Sequence, residues 1–411
     1  MAMKQTQTKL FDFSDAGLDF SVGSKNLFPD RFKKMLSLGY NEQTVSSVVV
    51  SGDQVTFTYG GAHGYAADRV LKVNSGALSS INNGEFWIDS VTTNTVTITI
   101  DDAPMLVAGG FTTRIASLGW SLEYENTHIQ LYKFKQLDES DVYARFCFQT
   151  NLSGANNIAV GVGRTANTSI GIITDSECFA DLATCSTLAD VSSNLVWAFT
   201  YSTGAGLNNY TYSQGFSTHG RACVVGSKYH FAISGNMYSL ASGASGIIQG
   251  VFPHAPLHGY EQLKIPALFT TELASNPLSG TWSQQVAGQL LRVYVGKLRC
   301  SCWLSNDTTR YVFNHATAAL DFLSIDTFNT NTASPLFLYE QTTGQMISMI
   351  YGMYQLHLSG NTAVSKVNIN NPSIVDDIEL GHKGIRHRIN NATSTNQTVW
   401  QLLPIEEIKI A

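Results

Sequence analysis

Residues 46–100 read SSVVVSGDQVTFTYGGAHGYAADRVLKVNSGALSSINNGEFWIDSVTTNTVTITI, and their alternation decides the fold class. Apolar side chains recur in short runs: Val48, Val49 and Val50, then Val55 and Phe57, then Val70, Leu71 and Val73. Phe86 and Ile88 follow, and last Val96, Ile98 and Ile100. Each run stops at a turn-forming cluster, namely Ser51-Gly52, Gly60-Gly61, Asn74-Ser75-Gly76, Asn82-Asn83-Gly84 or Thr93-Asn94. A period of two with dense Gly and Asn punctuation is the pattern of short antiparallel strands. It predicts a small β-barrel module over 43–115 with little room for a helix. His63 sits in a tight turn before a strand, where its ring can bond backbone and Gly64 can take a positive φ, so it reads as structural.

Outward from this stretch the strand signal continues. Runs at 129–134, 142–150, 158–162, 195–200, 228–233, 290–298, 311–314, 336–339 and 355–358 predict a β-sandwich-like body over 116–368. The Asn-rich run at 368–372 reads as a linker before a C-terminal segment, 369–411. Residues 26–38, NLFPDRFKKMLSL, predict one short N-terminal helix. Pro29 suits its first turn, Phe28, Phe32, Met35 and Leu36 share a face, and Gly39 ends it. The fold class is therefore mainly β. Ahead of the helix, Phe11, Phe13, Leu18 and Phe20 punctuate a lead too short to bury them by itself. The expectation is an arm (1–42 with the helix) that docks on a neighbouring subunit, with a passive tail as the alternative.

Composition agrees with a protein of contacts. Of 411 residues, 44% are hydrophobic and only 14% charged, against about 25% in an average soluble domain. Neutral hydrogen-bonding residues fill the difference, which suits sheet surfaces that pack on other copies without desolvating charge. A net charge of -6 argues against a nucleic-acid-coating surface. No stretch makes an apolar helix of about 20 residues, and the opening MAMKQTQTKLFDFSDAG has no signal-peptide core. Neither nucleic acid nor membrane is an expected partner.

Motifs for chemistry are sparse. The sequence has no Gly-x-Ser-x-Gly elbow, phosphate-binding loop or His-Glu-x-x-His. Acidic groups at Asp101-Asp102, Asp138-Glu139-Ser140-Asp141 and 376–379 read as solvated turns, while a glycosidase would need two carboxyl groups facing across a cleft. Six cysteines, with Cys300 and Cys302 the one close pair, are expected to be reduced and buried, a metal site being the alternative. No catalytic, cofactor or metal residue is assigned. The segment DDIELGHKGIRHR concentrates charge, with Asp376, Asp377 and Glu379 before Lys383, Arg386 and Arg388. It reads as a solvated turn or as an electrostatic latch between subunits.

Ala62-His63-Gly64-Tyr65, Ala67-Asp68-Arg69-Val70, Asn83-Gly84-Glu85-Phe86 and the 91–96 run VTTNTV together resemble a known β module. It is similar to the first catalytic cysteine half-domain of ubiquitin-activating enzymes, a module also found in bacteriophage virion proteins. Leu118-Gly119-Trp120, Tyr124-Glu125-Asn126, 129–133 and 138–146 resemble the segment following that module in tailed-phage virion proteins. No reactive cysteine lies inside the module, so ubiquitin chemistry is not implied. The resemblance implies a virion protein, and the sparse catalytic motifs a non-enzymatic one; the expected place is the tail, neck or baseplate, after assembly in the host cytoplasm. Its partners would be other copies of itself and other phage virion proteins. A head decoration protein is the alternative within the virion. A host-surface glycan-binding module using Trp282, Trp303 or Trp400, and a depolymerase, are the alternatives of other function classes.

Overall fold

The computed structural model describes residues 7–150, 155–200, 205–236, 246–257, 263–272, 291–302, 333–356, 371–377, 381–390 and 398–405. The expected strand at 311–314 lies outside them, as do Trp282, Trp303 and Glu379. The protein is mainly β, and every strand pairing is antiparallel.

The helix forms where the apolar spacing places it, from Phe28 to Lys33, with Pro29 in its first turn. It then widens into one π turn, Lys34–Leu38, closed by Gly39 N–H on the Lys34 carbonyl at 2.8 Å. The wider turn lets consecutive residues Met35 and Leu36 both face inward. Gly39, at φ 77°, stops it.

The module is one seven-stranded sheet. In spatial order its strands are Glu85–Trp87, Val70–Asn74, Thr112–Ile115, Tyr40–Ser51, Gln54–Tyr59, Thr95–Thr99 and Ser90–Val91. The twelve-residue strand Tyr40–Ser51 pairs with Thr112–Ile115 through its first half and Gln54–Tyr59 through its second, with a register shift within each pairing. That irregularity curls the sheet around Val45, Val55, Phe57, Leu71, Val96 and Ile98, all fully buried. The sheet does not close into the expected barrel. Its end strands, three and two residues long, follow one another through Ile88 and Asp89 but are not paired with each other among the described residues.

The body begins as two facing layers. One holds Ser121–Asn126, Ile129–Lys135, Asp141–Phe148, Asn156–Gly163 and Leu195–Thr200; the other holds Lys9–Asp12, Cys223–Ser227, His230–Asn236, Gly246–Phe252 and Ala267–Glu272. They join where Leu195 pairs with Glu272. Between them Trp197 stacks on Phe231 at 5.7 Å, and Phe146 meets Trp197 edge-on at 5.6 Å. Phe32 of the helix fills the same space, 5.3–5.7 Å from Phe146, Phe148 and Phe231. The second layer extends through Leu291–Val295, Leu298–Ser301, Ala333–Glu340 and Met346–Leu356. Thr398–Pro404, His382–Asn390 and Ser373–Asp377 complete it. The single strand expected at 290–298 is a hairpin turning at Gly296, φ 59°. Residues 369–411 supply strands to the body's own sheet.

The expected N-terminal arm is corrected by the structure. Lys9–Asp12 adds to the edge of Cys223–Ser227, with Leu10 opposite Val225 and Phe11 opposite Val224. Phe11, Phe13, Leu18 and Phe20 are all fully buried in the chain's own core, Phe13 stacked on Phe20 at 3.8 Å. The lead is too short to bury them by itself, but the body offers an open edge strand, and covering it satisfies both. One continuous apolar core runs from Leu10 through the module to Ile405.

Candidate functional site: the seam between module and body

Polar groups gather where the module meets the body. The N-terminal strand ends in Asp12 and a turn, and that turn holds Asp15 toward the module. Arg69 leads into strand Val70–Asn74 and grips Asp15 in a two-pronged pair, Nε to Oδ2 and Nη2 to Oδ1, both 2.8 Å. The two side chains are 6% and 8% exposed. Tyr40 Oη donates to the same carboxylate at 2.8 Å and the Asp12 backbone N–H at 3.0 Å, so Asp15 is fully engaged. Burial alone would lower the Arg69 pKa, and the Asp15 charge more than offsets it, leaving it raised. Burial, with Asp15 beside it, raises Tyr40 well above its ordinary value.

A second buried pair lies nearby. Lys9 Nζ stands 2.6 Å from Glu85 Oε2, a charge contact and not an aligned hydrogen bond, and donates to the Ser117 carbonyl at 2.5 Å. Burial outweighs Glu85 and lowers the Lys9 pKa. On the body side, Asp12 accepts from Arg221 Nε at 2.6 Å and from Ser14. Gly64 approaches the N-terminal turn so closely that a Cβ would lie 2.8 Å from Ala16 Cβ, and its φ is +71°. Beside it, His63 is buried, with Tyr65 N–H donating to Nδ1 and Nε2 bonding the Thr95 carbonyl. The ring-to-backbone bonds expected of His63 and the positive φ expected of Gly64 are both present.

One of the C-terminal charges, Lys383, is paired within the chain. Ser373–Asp377 and His382–Asn390 form a hairpin that sets Asp376 opposite Lys383 and Asp377 opposite His382. Lys383 Nζ then reaches Asp68 of the module at 2.7 Å, and this bond raises its pKa. Arg386 lies over the Trp400 ring at 5.7 Å. Arg388 sits opposite Trp400 in the ladder. The expected latch between subunits is thus, at Lys383, a contact between body and module of one chain. Trp400 is buried and offers no open stacking face.

The remaining candidates contact neighbours within the chain. Glu139 pairs with Lys228 and accepts from Tyr229, and Asp138 accepts from Ser140. All six cysteines are free and buried; burial pushes Cys300 up to about 12 and Cys302 well above its ordinary value. Among the described residues no cluster of three His, Cys, Asp or Glu could hold a metal ion. Sequence reasoning missed Asp12, Asp15, Arg69 and Arg221. The one available signal was the position of Asp12, between Phe11 and Phe13, which the core needs.

No protein-family model matches the chain, and no curated protein matches it. Among solved structures, phage phi92 endosialidase aligns over 89% of this chain and 51% of its own, at 11% identity and a TM-score of 0.16. The chain spans about half the length of that protein, and so low a TM-score establishes no common fold.

Proposed function

We propose that the chain is a structural component of a tailed-phage virion, of the tail, neck or baseplate, acting through protein–protein contacts in a multimeric assembly. It is not an enzyme in this reading, and its partners are other copies of itself and other virion proteins. The observation that carries the proposal is the seam. A β module resembling those of virion proteins is fixed to a large β body by two buried ion pairs, Arg69–Asp15 and Lys9–Glu85, and by a shared core. A part that works by shape needs its pieces held in one orientation, and a flexibly tethered module would not serve. The module presents Val49, Leu78, Met105 and Leu106, each more than half exposed, on its own surface. These suit contacts with a neighbouring virion protein.

The test is localisation. Gold-labelled antibody against the chain, applied to purified particles, should mark one fixed position along the tail axis or at the neck. Label on the head surface would support the decoration alternative. Particles free of label, with the chain soluble in the lysate, would refute a virion role.

A further inference from the structure

Beside the seam a cavity of about 460 Å³ opens to solvent, a size within the roughly 300–1,000 Å³ of small-molecule sites. Four pieces of chain meet there: the turn after Asp12, the module loop around Gly64, the helix Tyr212–His219 and residues 371–373. We propose that this cavity binds an uncharged pyranose ring, as part of a glycan.

Two observations point to that ligand. The first is an aromatic step. Tyr212 and Phe216 stand four residues apart on one helix, their rings 5.4 Å apart and inclined at 42°. Phe216 is 42% exposed. The apolar C–H face of a sugar covers an open aromatic ring of this kind while its hydroxyls reach polar neighbours. The second is a fixed set of such neighbours. Arg221 is held by Asp12 at 2.6 Å and by the Pro372 carbonyl at 3.3 Å. Asn371 Oδ1 accepts the Arg221 backbone N–H at 2.7 Å, which leaves the carboxamide Nδ2 without a partner among the described residues. Groups already immobilised bind a hydroxyl-rich ligand with little further ordering.

Charge selects the class. The lining holds Arg69 and Arg221 with Asp12 and Asp15, and each arginine is paired to one of the acids. The two charges of each sign cancel, so an acidic sugar or a phosphate finds no surplus cation. An uncharged hexose or N-acetylhexosamine meets both donors and acceptors. This inference does not depend on the virion proposal, because binding is read on the purified chain alone.

The experiment is saturation-transfer NMR on the full chain with methyl glucoside, methyl galactoside and methyl N-acetylglucosaminide. Sialic acid and glucuronic acid are the charged comparisons. Transfer to at least one neutral probe is expected, with Phe216→Ala weakening it about tenfold, as loss of one aromatic platform implies. Asn371→Ala should weaken it as well. An unchanged melting temperature for Phe216→Ala would show that the loss is of contact and not of fold. No transfer to any neutral probe, or transfer that both variants leave intact, would overturn the site. Transfer to the acidic probes alone would overturn the assignment of a neutral ligand.

Discussion

Replacing Arg69 by Met removes both guanidinium bonds to Asp15 and leaves a carboxylate that is 8% exposed. Tyr40 Oη and the Asp12 N–H remain as its donors, two neutral bonds where a full charge had been matched. Breaking a buried pair from one side costs about 3–5 kcal/mol, because the other charge is stranded. Arg69→Met should therefore lose about that much in urea unfolding followed by tryptophan fluorescence at pH 7. The informative step is the second substitution. Asp15→Asn in the Arg69→Met background removes the stranded charge yet keeps an oxygen for Tyr40. It should restore about 2 kcal/mol or more, although Asp15→Asn alone is destabilising. A second substitution that adds further loss, or changes nothing, would refute a buried charge pair at the seam.

Other expectations follow from the same geometry. Phe13→Ala, in a fully buried stacked pair with Phe20, should cost the isolated chain about 3–5 kcal/mol by the same unfolding assay; a passive or inter-subunit arm would show no change. Lys383→Ala breaks a pair whose lysine is 43% exposed, so less than about 1 kcal/mol should be lost. Burial lowers His219 to about 4 and His230 to about 3, from an ordinary 6.5. Between those values and pH 6.5 the unfolded chain binds protons that the folded chain refuses. Stability should be complete above pH 6.5 and fall as pH drops toward 4, and His230→Asn should make that slope shallower in melts across the range.

Local features were legible in the sequence and distant pairings were not. The helix at Phe28–Lys33 follows from Pro29, the spacing of Phe28 and Phe32, and the stop at Gly39. Leu195–Thr200 matches its expected bounds residue for residue, and Gly64 takes the positive φ expected of it. Strand Gly246–Phe252 escaped notice because it is buried on both faces and lacks alternation. The hairpin at Gly296 was read through as one strand because apolar residues continue on both sides of a two-residue turn. The fate of Phe11 and Phe13 depended on the distant edge of Cys223–Ser227, which no local pattern announces. The seam was hidden for the same reason: Arg69 and Asp15 are 54 residues apart, and no local pattern pairs them.

The most direct test of the structural role is quantitative mass spectrometry of purified particles, comparing peptides of this chain with those of the major capsid protein. The account predicts a fixed copy number per particle, unchanged through repeated density-gradient purification. A chain that is abundant in infected cells, yet falls toward zero copies as the particles are purified, would contradict it.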